Sequence, residues 1–219
     1  TAFTLTGRKI DLRLTKSQLS GVRATGQSHA VNPDWDLVAD TIDLALAHQQ
    51  LAQTLAWGDS IRPHAIAPDR EIKADSLAID TPDQRLKEAR AFGTAWVGSA
   101  PDTVTHERDQ LWGDTVVAEF TSRDSAGKKL SSLQRVEARS HARSYHVLSG
   151  NVECGRAAVS YVRGDRIVLR FRAGVSNDVE RVEVHGKVDG VQIEPKCPPA
   201  DSTRADSAKG DTTRTGKTR

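Results

Sequence analysis

The chain has 219 residues, 37% of them hydrophobic and 27% charged, with 31 Lys and Arg against 29 Asp and Glu for a formal net charge of +2. This is soluble composition, long enough for one elongated domain or two small ones. The balanced, interspersed charge excludes the basic stripe on which nucleic-acid binding rests, and no apolar run approaches the roughly 18 residues of a membrane-spanning helix.

The chain begins at Thr1 and holds no Met, which reads as a processed or excised segment. The first predicted element is a strand in TGRKIDLRL (Thr6–Leu14), with Ile10, Leu12 and Leu14 on one face, because alternate side chains of a strand share a side. The turn TKSQ leads to a second strand, LSGVRATGQSHAV, and NPDW supplies turn chemistry after it. The same phrase then restarts at ADTIDLAL (Ala39–Leu46), with Ile42, Leu44 and Leu46 inward, followed by AHQQ and LAQTLAWGDSI. RPHAIAPDR reads as another turn-rich link.

The third copy is KADSLAID (Lys73–Asp80), with Leu77 and Ile79 inward, then TPDQR and LKEARAFGTAWV. After APDTVTHERD comes WGDTVVAEF (Trp112–Phe120), with Val116, Ala118 and Phe120 inward, then LQRVEARSHARS and the link SGNVEC. The fifth copy is RGDRIVLRF (Arg163–Phe171), with Ile167, Leu169 and Phe171 inward, followed by AGVSND and VERVEVHGKVDGV. LAQTLAWGDS and DQRLKEARAFG have helical propensity, but their register with the β-rich copies assigns them to strands.

Five copies of one phase, at a period of roughly 35 to 50 residues, mark a repeat architecture. Asp40, Asp75, Asp114 and Asp165 occupy one position, held by Arg8 in the first copy. In the second strands Ala24, Ala56, Ala91, Ala138 and Val184 align, followed two residues on by Gly26, Gly58, Gly93, Ser140 and Gly186. Glycine inside a strand is costly, so its recurrence implies a narrow interior or a close approach of backbones. One hairpin is marginal alone; several stacked hairpins bury a continuous apolar seam between facing sheets.

At IKADSLAIDTPDQRLKEARAFGTAWV (Ile72–Val97) the sequence resembles the OstA-like family, the lipopolysaccharide-bridge proteins of the LptA and LptC type and the periplasmic portion of LptD. The residues that carry the likeness are Ile72, Ala74, Asp75, Leu77, Ile79, Leu86, Ala91, Gly93 and Ala95, and a looser form runs from Thr6 to about Gln192. The resemblance implies an all-β fold, a repeat-built antiparallel β-jellyroll open at its ends. It also implies a periplasmic location and non-enzymatic transport of lipopolysaccharide between inner and outer membrane. Partners would be the lipid, sister transport components, and further copies joined by edge-strand pairing. The copy with Ser140 in place of glycine, and the first copy without Asp, depart from the pattern.

The expected lipid-groove lining is therefore the inward set Ile10, Leu12, Leu14, Ile42, Leu44, Leu46, Leu77, Ile79, Val116, Phe120, Ile167, Leu169 and Phe171, since an acyl chain needs a dry apolar wall. For each residue taken singly, a filled core is the plainer reading. Cys154 and Cys197 fit two buried thiols or one disulfide; spacing does not decide, and a bridge would require an oxidising compartment. Trp35, Trp57, Trp96 and Trp112, beside turns or the repeated glycine, are read as caps on the ends or edges of the sandwich.

The seven histidines are dispersed, no Ser-His-Asp or HExxH grouping appears, and no metal or other cofactor is expected. A domain spanning 1–197 is predicted, followed by a polar tail from Pro198 to Arg219, which buries too little to offset ordering entropy and reads as disordered. The alternative is a structural β-module that makes edge-strand protein contacts and binds no lipid.

Overall fold

The computed structural model describes residues 3–31, 35–103, 106–125, 128–153, 156–172 and 179–195. Its strands are β1 (Thr4–Thr6), β2 (Lys9–Thr15), β3 (Gln18–Val31), β4 (Asp36–Ala47), β5 (Gln50–Trp57), β6 (His64–Ala67) and β7 (Arg70–Lys73). They continue with β8 (Ser76–Asp80), β9 (Glu88–Ser99), β10 (Gln110–Ser125), β11 (Lys128–Glu153), β12 (Arg156–Phe171), β13 (Val179–His185) and β14 (Asp189–Ile193). All belong to one 14-stranded sheet. The pairings are antiparallel throughout, so the protein is all-β, as the alternation of its repeats predicts. No helix among the described residues is long and apolar enough to cross a membrane.

The sheet becomes two layers because its long strands each serve two ladders. Strand β4 pairs with β5 through Thr41–Ala47 and with β6 through Asp36–Val38. Strand β9 pairs with β8 through Glu88–Phe92 and with β7 through Lys73 opposite Trp96 onward. Strand β12 pairs with β13 through Arg166–Phe171 and with β14 through Val159–Arg163. One layer thus runs from β2 to β13 and the other from β1 to β14, with a bend in every long strand between them.

The repeated glycine sits at that bend. Gly93 has φ +72° and is followed by Thr94 at φ +44°, a left-handed step that a side chain resists. The repeated aspartate closes the same bend from the preceding strand. A Cβ on Gly93 would strike the Asp75 carboxylate, one on Gly58 would strike Asp40, and one on Gly186 would strike Asp165. The Asp75 amide donates to the carbonyls of Phe92 and Gly93, each at 3.0 Å.

The two departures from the pattern follow the same geometry. Gly26, with φ +76°, lies against Arg8. Ser140 takes φ +58° despite its side chain, and beside it Asp114 lies 2.9 Å from Nδ1 of His141. The close approach is therefore between a carboxylate and a bent backbone, at the crease between the layers. The aligned Ala24, Ala56, Ala91 and Ala138, two residues before each bend, are all buried. There the layers converge, and a methyl group fits.

The core lies between the layers. Leu37, Ile42, Leu44, Val116 and Ile167 are among its largest buried side chains. The ends differ. Ile10, Leu12 and Leu14 of β2 are 46%, 63% and 67% exposed, and Val191 and Ile193 of β14 are 52% and 57% exposed. Ile10 and Leu12 lie opposite the buried Ala24 and Val22, on the inner side of the layer, yet with Leu14 they are left uncovered. They lie on the predicted strand, paired in register with β3. However, β2 is the last strand of its layer, and beside it the other layer ends at the three-residue β1.

Two links are corrected. RPHAIAPDR contains a real hairpin, β6–β7, which pairs outward with β4 and β9. Its strands are four residues each, flanked by Pro63 and Pro68, too short for alternation to register. SGNVEC continues β11 as far as Glu153 rather than turning. LAQTLAWGDS and DQRLKEARAFG are strands over Gln50–Trp57 and from Glu88. Cys154, Cys197 and the tail from Pro198 lie outside the described residues.

Candidate functional site

Between the layers the core is not filled along its whole length. Two cavities, a mostly apolar one of about 90 Å³ and one of about 380 Å³ also bordered by Thr81, Gln84 and Ser131, share Asp69, Arg70, Ile72, Ile79 and Ala89 in their walls. They therefore adjoin at the tip of the β6–β7 hairpin, and together are called the slot. The smaller is walled by Leu77, Val116, Leu133 and Val136 from one layer and by Val97 and Leu111 from the other, and reaches Leu169, Phe171 and Val179. The larger opens past Phe120 and Leu86 toward Phe3 and Trp35.

The expected lining residues divide into three groups. Leu77, Ile79, Val116, Leu169 and Phe171 wall the smaller cavity, and Phe120 together with Ile79 walls the larger. Ile42, Leu44 and Ile167 are fully buried in the packed core and Leu46 is packed against it; none of the four touches either cavity. Ile10, Leu12 and Leu14 face solvent.

The sequence reading missed the opposite wall, Ile72, Val97 and Leu111. The signal was present: Ala95 and Val97 continue the alternation of Ala89 and Ala91 straight through Gly93, all in one parity. Trp96 and Trp112 face each other across β9 and β10 on the outer side of that wall. There Lys73 lies 5.0 Å and Arg108 6.0 Å from the Trp96 ring.

Polar groups enter the slot at two places. At one, Asp109 lies 2.9 Å from Nδ1 of His146 and accepts the Val147 amide at 2.8 Å. Hydrogen bonding to Asp109 raises the His146 pKa above its ordinary value, against desolvation. At the other, Arg70 reaches from the hairpin across to the facing layer, its guanidinium 5.3 Å from the centre of the Phe120 ring. Nε of Arg70 donates to Oδ1 of Asp69 at 2.9 Å, and Nη2 donates to Oδ2. The Arg70 hydrogen bonds hold the Asp69 carboxyl below its ordinary range.

The outer faces are tied by ion clusters. Glu137 is almost fully buried there, contacted by Arg135 and bonded at 2.6 Å to Nε of Arg139 and of Arg166. The Arg139 hydrogen bond leads in lowering its pKa to about 2, with Arg166 and the charge of Arg135 assisting against desolvation. Asp43 sits likewise between Arg13 and Arg23. Among the described residues no three His, Cys, Asp or Glu side chains gather as metal ligands.

The fold and slot together define a bent antiparallel sheet enclosing an apolar space. No family model and no curated protein matches the chain. Among solved structures, it is similar to LptH of Pseudomonas aeruginosa, described as the LptA-homologous periplasmic component of the lipopolysaccharide transport device. The two share 13% identity over 89% of this chain and 96% of that one, at a TM-score of 0.30. At that score the likeness says nothing about the slot.

Proposed function

We propose that the protein is a non-enzymatic lipid carrier that shelters acyl chains in the slot between its two layers. The observation that supports this is the pair of adjoining cavities, walled by apolar side chains from both layers and meeting at the hairpin tip. A preformed dry space with little demand on side-chain identity suits a hydrocarbon chain. The resemblance of Ile72–Val97 to the OstA-like repeat makes lipopolysaccharide the lipid, the periplasm the compartment, and bridging between the membranes the role. The uncovered apolar edges at β2 and β14 are the surfaces by which copies or sister components join it.

The test is photo-crosslinking to lipopolysaccharide, with probes at Ile79, Phe120 and Phe171 and outer-face controls at Arg170 and Arg181. Crosslinks at the three slot positions and none at the controls are expected. Folded protein that crosslinks at none of the three would leave a structural module that binds no lipid.

A further inference from the structure

The slot contains a cation that the packing does not require. Arg70 lies on the inward-facing side of β7, two residues before Ile72, whose cross-strand partner is Val97. Its side chain is only 17% exposed, and a guanidinium stays charged at any working pH. Among the described residues its ion-pair partner is the adjacent Asp69, which occupies Nε and Nη2. Asp69 takes two of its five N–H donors; the two on Nη1 and the second on Nη2 make no hydrogen bond to a described residue. The guanidinium is held over Phe120, which fixes its position as a cation–π contact does. It stands where the two cavities meet.

A filled core would place an apolar side chain at this point. An apolar slot with a fixed, partly satisfied cation at its waist is complementary to a hydrocarbon chain ending in an anion. The charge count narrows the head group. Both cavities are bordered by Asp69 and Arg70, and the smaller also by Arg90, Asp109 and His146. Arg90 forms ion pairs with Asp80 and Glu88, though its buried Nε makes no hydrogen bond to a described residue, and His146 pairs with Asp109. A single guanidinium charge, already paired with the Asp69 carboxylate, matches a monoanion better than a dianionic phosphate.

We infer that Arg70 is the anchor for the head of a long-chain carboxylate whose chain lies in the slot, so that the protein also takes free fatty-acid anions. This rests on the reading of the slot as an acyl-chain site. A charge-assisted hydrogen bond from Nη1 to the carboxylate supplies the preference, and the cavity walls supply the bulk of the affinity without regard to head charge.

The test is binding of cis-parinaric acid and its methyl ester to the full chain, read by probe fluorescence, with dodecyl phosphate as a competitor. The wild type is expected to bind the acid about ten-fold more tightly than the ester. Arg70→Gln should bind both equally, at about the ester's wild-type affinity, Arg70→Lys should keep part of the preference, and Asp69→Asn should enlarge it. Dodecanoate should displace the acid at lower concentration than dodecyl phosphate. Equal wild-type affinities, or a preference that survives Arg70→Gln, would overturn the anchor while leaving the slot reading in place. Stronger displacement by the phosphate would overturn the choice of carboxylate. Binding of neither probe by folded wild-type protein would overturn the slot reading itself.

Discussion

The middle of the sheet and its two ends are written in the same sequence pattern and fare differently in the fold. Ile42 and Leu44 on β4 are fully buried, whereas Ile10, Leu12 and Leu14, in the same phase on β2, are open to water. Asp43 and Asp11 hold the matching outward place. Asp43 is buried between two arginines, and Asp11 pairs with the exposed Lys9. Alternation therefore specifies which side of a strand is apolar, and not whether anything lies opposite it. In a repeat architecture the neighbours supply the cover, so the terminal copies present faces that the chain by itself leaves unfilled.

Deleting apolar side chains at matched positions gives the widest contrast. Ile42→Ala should lower stability by about 3–4 kcal/mol through lost transfer energy and a residual cavity, while Leu12→Ala should change it by less than about 0.5 kcal/mol. Urea denaturation of the two variants checks this, and equal losses would break the distinction between middle and end.

The outer-face carboxylates come next. Glu137→Gln should cost about 2 kcal/mol near neutral pH, because three arginines lose a buried counter-ion. Glu137 has its folded pKa depressed to about 2, so its contribution is complete above the ordinary carboxylate range. It is lost as pH falls from about 4.5 toward 2. The variant should therefore show a flatter acid limb in stability against pH. Glu183 on the end strand β13, paired with Arg170 and Arg181, should give a smaller change on the same substitution.

The bends extend the comparison. Gly93→Ala, in the middle, should lose about 2 kcal/mol, since the new methyl meets both the left-handed backbone and Asp75. Gly186→Ala should lose less, because the strand it serves lies at the border of the sheet. Thermal unfolding of both variants measures the difference.

The smallest effect is a gain. Thr54 is buried with no hydrogen-bond partner for its hydroxyl among the described residues, at the repeat position where Val22 and Val136 stand. Thr54→Val should raise stability by about 1 kcal/mol, read from the denaturation midpoint. A loss would mean that the hydroxyl has a partner in solution.

Much of this fold was legible in the sequence because a period-two pattern recurred in one phase. The inward positions of β4, β8, β10 and β12 can be read directly from Ile42, Leu77, Val116 and Ile167. The repeated Asp and Gly also announced a common geometry, although the bend itself was hidden. The inward set of β9, Ala89, Ala91, Ala95 and Val97, keeps one parity through Gly93, but its mostly small side chains did not mark it as a wall. The β6–β7 hairpin left no readable trace, since four-residue strands are held by their neighbours rather than by their own propensity. Arg70 was invisible for the same reason: a charged residue after Pro-Asp resembles any turn until the pairing of Ile72 with Val97 shows which way it faces.

These bends are closed from the segment before them: Asp75, just ahead of β8, against Gly93, and Asp165 of β12 against Gly186. No bend refers to the total number of strands, nor to either terminus. Duplicating one hairpin would thus insert a finished unit without rebuilding its neighbours, and would widen the sheet by about 10 Å, two strand spacings. Reach in such a molecule is a counted quantity, set by how many times one short phrase is copied.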